Sequence, residues 1–239
     1  MDVKKNKHDL LENGFSHVQR VFQNNEITEV TEILDGLFRR QTDNNLPSGS
    51  SKVRANIHEI NHTIKLDKAL KKTPVFKKCQ ALASVFLGKQ AKVSFDHAIY
   101  KKPRSESVKW HQDQAYKRTV KKMKSIHFWI PLQDTPLELG CMQYVRGEKN
   151  NHLLPHKKES NGQVLSLDIN NLVDEDEIVV CESLKGDLQI HSPNTIHGSL
   201  PNNTGEIRKA WIIHFSPYGY WEPLLPHNLL HNAYNRLFS

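Results

Sequence analysis

Two histidines, one aspartate and one arginine are the residues whose types and spacing could carry chemistry in this chain. His111 and Asp113 are separated by a single residue, Gln112. On an extended strand, side chains two residues apart point to the same face, so both could bind one ion. A second histidine, His197, arriving from a distant strand would complete a set of two imidazoles and one carboxylate. That set is the facial triad of non-haem Fe(II) oxygenases, which leaves three coordination positions open.

The open positions, together with one arginine, predict a co-substrate. A 2-oxoacid can chelate the ion through two of them and leave the third for O2. Arg208 lies eleven residues after His197 and precedes an apolar run, Ala210-Trp211-Ile212-Ile213, that indicates a buried strand. We expect a hairpin to bring this strand beside His197, because neighbouring antiparallel strands lie about 5 Å apart. A guanidinium binds a carboxylate through two parallel hydrogen bonds, so Arg208 would hold the far carboxylate of the oxoacid.

His191 is an alternative to His197 as the second imidazole ligand. It lies six residues earlier, and this even spacing could place both histidines on one face of a strand. However, Pro193 interrupts the run, and no arginine follows His191 at the matching distance. The sequence therefore favours His197.

Length and composition predict one domain over residues 1–239. Hydrophobic residues make up 37% of the chain, which is enough to form a core. No apolar run reaches the length of about 18 residues that would indicate a transmembrane helix, and no secretory signal follows the charged N-terminus. Cys79, Cys141 and Cys181 show no ligand spacing, so each is predicted to fill a core. We expect a cytoplasmic protein without membrane contact.

Hydrophobic periodicity predicts helices in the N-terminal third and strands from about Gln90 onward. Asn24 or Asn25 would cap one helix, and another would run from Thr73-Pro74 to a stop at Gly88. The polar segment 41–53 between them is predicted to be a mobile rim loop. A closing helix is predicted in HNLLHNAYNRLF. Six runs are predicted strands of an antiparallel sandwich or barrel: KVSFDHAIY, SIHFWIPLQD, CMQYVR, EIVVC, DLQIH and KAWIIHF.

Four stretches of the chain resemble the phytanoyl-CoA dioxygenase family. They are WHQDQAY, HFWIPLQDT, LGCMQYVRGEKNNH and KGDLQIHSPNTIHGSLPNNTGEIRKAW, and ENGFSHVQRVFQNNEITEVTEIL is similar to that family's opening strand and helix. The resemblance covers nearly the whole chain. It implies a mainly β fold, a double-stranded β-helix (jelly-roll, cupin-like) core with flanking N-terminal and C-terminal helices. It also implies Fe(II) held by His111, Asp113 and His197, with 2-oxoglutarate as co-substrate.

The same resemblance implies roles for residues around the metal. Arg208 and Ser199 would contact 2-oxoglutarate, Trp129 would lie against it, and Gln112 would face the pocket. Related halogenases lack the carboxylate ligand so that chloride can bind, so the presence of Asp113 favours hydroxylation of a C–H bond. At residues 145–149 the chain has VRGEK where many members have Pro-Gly-Ser-His, so it departs from the family at the pocket mouth.

The segment from Lys101 to Lys124 is rich in basic residues, with nine Lys or Arg and only two acids. Such a run is either a solvated loop or a positive rim that attracts an anionic substrate. We expect residues 114–124 to form a lid that orders over such a substrate. The formal charge of +7 also favours anions, such as an acyl thioester, a phosphorylated small molecule or an amino or organic acid.

The function predicted is therefore an Fe(II)- and 2-oxoglutarate-dependent dioxygenase that hydroxylates a small, anionic or thioester-linked molecule. One alternative is an oxygenase acting on a protein or a nucleic acid, which the sequence pI of 9.2 permits. Nucleic acid is not favoured, because no aromatic residues interleave with the basic ones as a binding platform would require. Another alternative is a non-catalytic β-barrel binding module. Neither the substrate nor the oligomeric state follows from the sequence.

Overall fold

Two antiparallel sheets face each other, and helices cover the outer side of the larger one. The computed structural model describes residues 2–54, 56–116, 125–159 and 165–219. Its α-helices are α1 (Val3–Asn13), α2 (Asn24–Thr42), α3 (Thr63–Leu66) and α4 (Pro74–Leu87). Its strands are β1 (Phe15–Val18), β2 (Ser51–Arg54), β3 (Ile57–Asn61), β4 (Lys92–Lys101), β5 (Val108–His111), β6 (Ile126–Pro131), β7 (Met142–Val145), β8 (Lys157–Lys158), β9 (Leu165–Ser166), β10 (Ile178–Cys181), β11 (Leu188–His191), β12 (His197–Ser199) and β13 (Arg208–Ser216).

The order of strands divides the fold into a large and a small sheet. Over the described residues, the large sheet has the order β1-β11-β6-β13-β4-β3-β2, and the small sheet has the order β10-β7-β12-β5. β8 and β9 form a separate two-stranded ribbon. The chain crosses from the large to the small sheet between β11 and β12. The arrangement is the mainly β, double-stranded β-helix type with flanking helices that the sequence predicted.

The two predicted N-terminal helices form where local signals place them. At α2, Gln23 is the N-cap and forms a capping box with Glu26, so the helix begins at Asn24. At α4, the Thr73 hydroxyl accepts a hydrogen bond from the Phe76 amide, and a proline occupies the first turn. Gly88 ends this helix in the left-handed conformation, with φ of 68°. The predicted start and stop of α4 are confirmed, whereas the cap of α2 is corrected, since Gln23 and not Asn24 or Asn25 is its N-cap.

Alternation along β13 shows how the large sheet separates two cores. Trp211 and Ile213 face outward and pack with the apolar faces of α2 and α4. Ala210 and Ile212 face inward and pack with Trp129 in the space between the sheets. Both faces of the strand are therefore covered, which explains its unbroken apolar run.

All six predicted strands are confirmed, and so is the opening strand and helix. Neither α1 nor the β2–β3 hairpin was predicted from the sequence, and the hairpin begins inside the segment predicted to be a loop. The predicted closing helix and the basic residues 117–124 lie outside the described residues.

The cysteines are free and buried as predicted, and burial raises the pKa of the Cys141 thiol to about 11. Among the described helices, none has the length and apolar character needed to cross a membrane.

Candidate metal centre

The three predicted metal ligands meet at the end of the small sheet. β5 and β12 are antiparallel neighbours, and His111 and His197 are directly opposite each other in their register. Asp113 follows two residues after His111, where the chain leaves the strand in a 3-10 turn (Asp113–Tyr116). The expectation that Asp113 lies on the strand is therefore corrected, since the turn and not strand alternation aims its carboxylate. Its Oδ1 atom lies 3.6 Å from Nε2 of His111 and 3.8 Å from Nε2 of His197.

Hydrogen bonds fix both histidines in the tautomer that a metal ligand needs. Nδ1 of His111 lies 2.8 Å from the carbonyl oxygen of Lys109, and Nδ1 of His197 lies 2.8 Å from that of Thr195. A carbonyl oxygen only accepts, so each Nδ1 must carry the proton and donate it. Each Nε2 is then left with a lone pair that faces Asp113, as is common for metal-binding histidines.

The charges in this cluster support the same assignment. Burial lowers the pKa of His197 well below its ordinary value, with a further contribution from His111, so its imidazole is neutral at physiological pH. Burial acts to raise the pKa of Asp113, but the surrounding imidazoles, His197 first among them, hold it well below the usual range. Two neutral imidazoles and one carboxylate are the donor set that non-haem Fe(II) uses. The residues present therefore fit this metal.

Two buried cations, Arg208 and Lys101, form a second cluster. Arg208 is 2% exposed, and its Nη1 donates to the carbonyl oxygen of Gly140, while its Nε has no partner among the described residues. Lys101 is fully buried, and its Nζ donates to the Leu200 carbonyl oxygen at 2.6 Å and to Ser199 Oγ at 3.3 Å. Within the described part of the chain, neither cation pairs with an Asp or Glu. The cluster is suited to bind a carboxylate.

Burial has a direct electrostatic effect on this pair of cations. It lowers the pKa of Lys101 to about 7, and repulsion from Arg208 adds to the effect. Burial also lowers the pKa of Arg208 to about 10, so the guanidinium stays charged at neutral pH. Trp129 lies against the guanidinium, with its ring centroid 5.6 Å from Cζ of Arg208. An anion bound here would meet two donors and a flat apolar wall.

The route by which Arg208 reaches the site differs from the one predicted. β12, which carries His197, pairs with β5 and β7, whereas β13 pairs with β4 and β6 in the other sheet. The expected hairpin pairing of these two strands is therefore wrong. Arg208 reaches the region of the site from across the space between the sheets.

Other residues singled out by the sequence have different positions. The Gln112 amide donates to the carbonyl oxygens of His152 and Asn194 and accepts from the amide of Leu154. Its polar atoms hold two loops together, and its role in the pocket stays a prediction. His191 lies near the site but on the other side of Asp113, with its Nε2 3.4 Å from Oδ2.

Lys101 and His127 are the residues near the site that the sequence analysis missed. Lys101 had a usable signal, because it lies an even number of positions after His97 and Ile99 on β4 and so shares their inward face. His127 had none beyond being a histidine inside the apolar run HFWIP. It is fully buried, and its Nδ1 lies 2.6 Å from Oδ2 of Asp113.

The fold has two facing β sheets, with a facial set of metal donors and a buried cationic cluster between them. This combination defines the class of non-haem metal oxygenases that take an oxoacid. The family model described as phytanoyl-CoA dioxygenase matches residues 10–210, and the chain belongs to this family. The family and its structural neighbours are Fe(II)- and 2-oxoglutarate-dependent oxygenases.

Individual relatives are distant in sequence. The phytanoyl-CoA dioxygenase domain-containing protein 1 homolog of Dictyostelium discoideum is 24% identical over 110 residues, which are 44% of this chain and 39% of that protein. The match therefore spans about two fifths of that relative.

Solved structures match over more of the chain. EvdO2 from Micromonospora carbonacea var. aurantiaca, crystallised with 2-oxoglutarate, is 26% identical, with a TM-score of 0.73 over 88% of this chain and 89% of its own. The epimerase SnoN, in complex with Fe3+, alpha ketoglutarate and nogalamycin RO, is 19% identical, with a TM-score of 0.70 over 90% of this chain and 84% of its own. At that identity the likeness to SnoN shows the fold alone.

Proposed function

We propose that this chain is an Fe(II)- and 2-oxoglutarate-dependent dioxygenase that hydroxylates a C–H bond of a small molecule. The observation that carries the proposal is the pairing of two features. One is a facial set of two imidazoles and a carboxylate. The other is a buried pair of cations that no acid of the described chain neutralises. A co-substrate with a chelating end and a distant carboxylate suits both.

The roles of the ligand residues follow from their tautomers and charges. His111 and His197 would offer Nε2 lone pairs, and Asp113 would offer one carboxylate oxygen and a negative charge. When bound, Fe(II) supplies the capacity to bind and reduce O2, which no side chain provides. The backbone carbonyls that hold each Nδ1 keep the two imidazoles aimed at one point. The presence of the Asp113 carboxylate supports hydroxylation and not halogenation.

The cationic cluster would orient the co-substrate. Arg208 and Lys101 would bind the far carboxylate of 2-oxoglutarate, with Ser199 as a further hydrogen-bond partner and Trp129 against its carbon chain. All four residues are buried, so bulk water does not compete for these hydrogen bonds. A carboxylate placed there supplies the negative charge that the cluster lacks.

The proposed substrate class follows from the charge of the chain. The net charge of +7 favours an anionic or thioester-linked molecule over a neutral one. Part of the basic stretch has other tasks, since Lys101 is buried in the cationic cluster and Lys109 pairs with Glu159 at 3.1 Å. A positive rim would therefore rest on residues 117–124, which lie outside the described residues, so a lid there stays a prediction from the sequence.

The test is reconstitution without air. The purified chain with Fe(II) and 2-oxoglutarate should develop the weak visible charge-transfer band of the chelate, and Asp113→Ala should abolish it. Admitting air should then convert 2-oxoglutarate to succinate, slowly alone and faster with a true substrate from a panel of organic acids, amino acids, phosphorylated molecules and acyl thioesters. A chain that binds Fe(II) but gives neither the band nor succinate would refute the proposal. Stimulation only by a protein or nucleic acid would correct the substrate class.

A further inference from the structure

A row of three histidines crosses the large sheet on its inner face, opposite the metal ligands. His191 on β11, His127 on β6 and His214 on β13 are direct neighbours in the strand register. Their exposed fractions are 2%, 0% and 8%. A buried row of imidazoles is costly unless its polar atoms have partners. The row lies beside Asp113, which is the one metal ligand that has an oxygen to spare.

The two oxygens of Asp113 face different neighbours. Oδ1 faces His111 and His197, whereas Oδ2 lies 2.6 Å from Nδ1 of His127 and 3.4 Å from Nε2 of His191. The shorter of these distances is that of a charge-assisted hydrogen bond. Two ligand atoms at right angles on one ion, with bonds of about 2.1 Å, would lie about 3 Å apart. The contact is therefore a hydrogen bond, and Nδ1 of His127 donates to the carboxylate.

The surroundings of His127 keep this donor aimed. Its ring stacks on that of His214, with centroids 3.5 Å apart and an angle of 8° between the planes. Its side chain is fully buried, so it cannot turn without displacing this neighbour. The bond to Oδ2 therefore comes from a rigid strand of the sheet opposite the one that carries His111 and His197.

We propose that His127 is a positioning residue that keeps Asp113 bound to the metal through Oδ1 alone. A carboxylate with both oxygens free can chelate an ion and take a second coordination position. The metal of the proposed function needs that position for the co-substrate or O2. The hydrogen bond from His127 prevents Oδ2 from coordinating the metal, so the position stays open. The inference rests on the proposed metal site but not on turnover.

Three variants at one position separate this role from a general packing role. His127→Asn places an amide NH close to the position of Nδ1 and keeps the donor. His127→Leu removes the donor and keeps an apolar side chain. Phe128→Leu is the matched control, because it alters the next residue of β6 on the face that packs against the helices. Co(II) replaces Fe(II), since its visible spectrum reports coordination number and needs neither O2 nor 2-oxoglutarate.

We expect His127→Leu to weaken Co(II) binding by about 10- to 100-fold, the usual effect of losing such a partner, and to change the Co(II) spectrum. His127→Asn and Phe128→Leu should bind Co(II) within about threefold of the parent chain and keep its spectrum. If His127→Leu does not fold, His127→Gln takes its place, because its amide is one bond too far out to make the same contact.

Three outcomes would overturn the inference. The first is that His127→Leu keeps the Co(II) spectrum and affinity of the parent chain. The second is that the Phe128→Leu control loses as much Co(II) affinity as His127→Leu. The third is that the parent chain binds a second Co(II) ion and His127→Asn does not. The last result would make His127 a ligand of its own metal. Failure of the proposed function looks different, since the chain would then bind Co(II) as expected but never consume 2-oxoglutarate.

Discussion

The affinity for 2-oxoglutarate should fall as pH rises above 7, and Lys101 should be the cause. With the cluster empty, burial and Arg208 hold the pKa of Lys101 at about 7. A carboxylate bound beside Nζ favours the ammonium form and moves the pKa back up toward the ordinary value of about 10.5. Between these two pKa values the free protein lacks a proton that the complex carries. Binding therefore takes up a proton.

The size of the effect follows from this linkage. Affinity should lose up to about tenfold per pH unit well above 7, and about 16-fold between pH 7 and pH 8.5, because the lysine is already half deprotonated at pH 7. Below pH 7 the lysine is charged in both states, so affinity should level off. The free energy of unfolding of the chain without 2-oxoglutarate should change with pH in the opposite direction. A lysine with a lowered folded pKa binds fewer protons folded than unfolded, so the free energy of unfolding should rise with pH above 7.

The assay is calorimetric titration of the anaerobic Fe(II) protein with 2-oxoglutarate at several pH values, in two buffers of different ionisation heat. The difference between the binding heats in the two buffers gives the number of protons taken up. The expected number is close to one at pH 8.5. Lys101→Met should bind 2-oxoglutarate more weakly at pH 6.5 but show little pH dependence and little proton uptake. An equal slope in the parent chain and in Lys101→Met would refute the reasoning.

Three further predictions concern the same site. Alanine in place of any one of the three metal ligands should abolish succinate formation, whereas His191→Ala should retain most of it; an essential His191 would mean that the second ligand is misassigned. Arg208→Ala should weaken 2-oxoglutarate binding by about 2–5 kcal/mol, at least about 30-fold, with Fe(II) affinity unchanged and only partial rescue by Arg208→Lys; equal affinities would remove this residue from the site. Gly198→Ala would place its Cβ 2.7 Å from the Val108 carbonyl oxygen, so β5 and β12 must separate. That overpacking should cost about 1–3 kcal/mol and weaken Co(II) binding, and normal Co(II) affinity in this variant would contradict the strand geometry described.

The metal ligands could be predicted because their signals are local. His111 and Asp113 share a tripeptide, and His197 comes just before the Gly-Ser pair in the stretch that resembles the family. The short turns and caps that begin and end α4 are equally local, so its start and stop were predicted to the residue. The six predicted strands followed from short runs rich in β-branched and aromatic residues that turn residues separate.

Contacts between the sheets could not be predicted in the same way. Arg208 was assigned to the site through a strand pairing that does not occur, because sheet membership depends on which strands meet after the whole chain folds. His127 looks like one more buried residue until β6 is placed opposite Asp113. The hairpin of β2 and β3 was missed because its short strands are polar and lie at the edge of the sheet.

The two halves of the candidate site belong to different sheets, which has a mechanical consequence. The residues that would hold the metal project from β5, β12 and the turn after β5, while Arg208 and Lys101 project from β13 and β4. A molecule of 2-oxoglutarate bound at both ends would link the two sheets noncovalently. Oxidative decarboxylation would release the 1-carboxylate as CO2 and turn the 2-keto carbon into a new carboxylate. The succinate formed would lack the keto-acid chelate but keep the far carboxylate that the large sheet would hold. Each catalytic cycle would thus weaken the link between the sheets on the metal side, while the cationic cluster still binds the unchanged carboxylate.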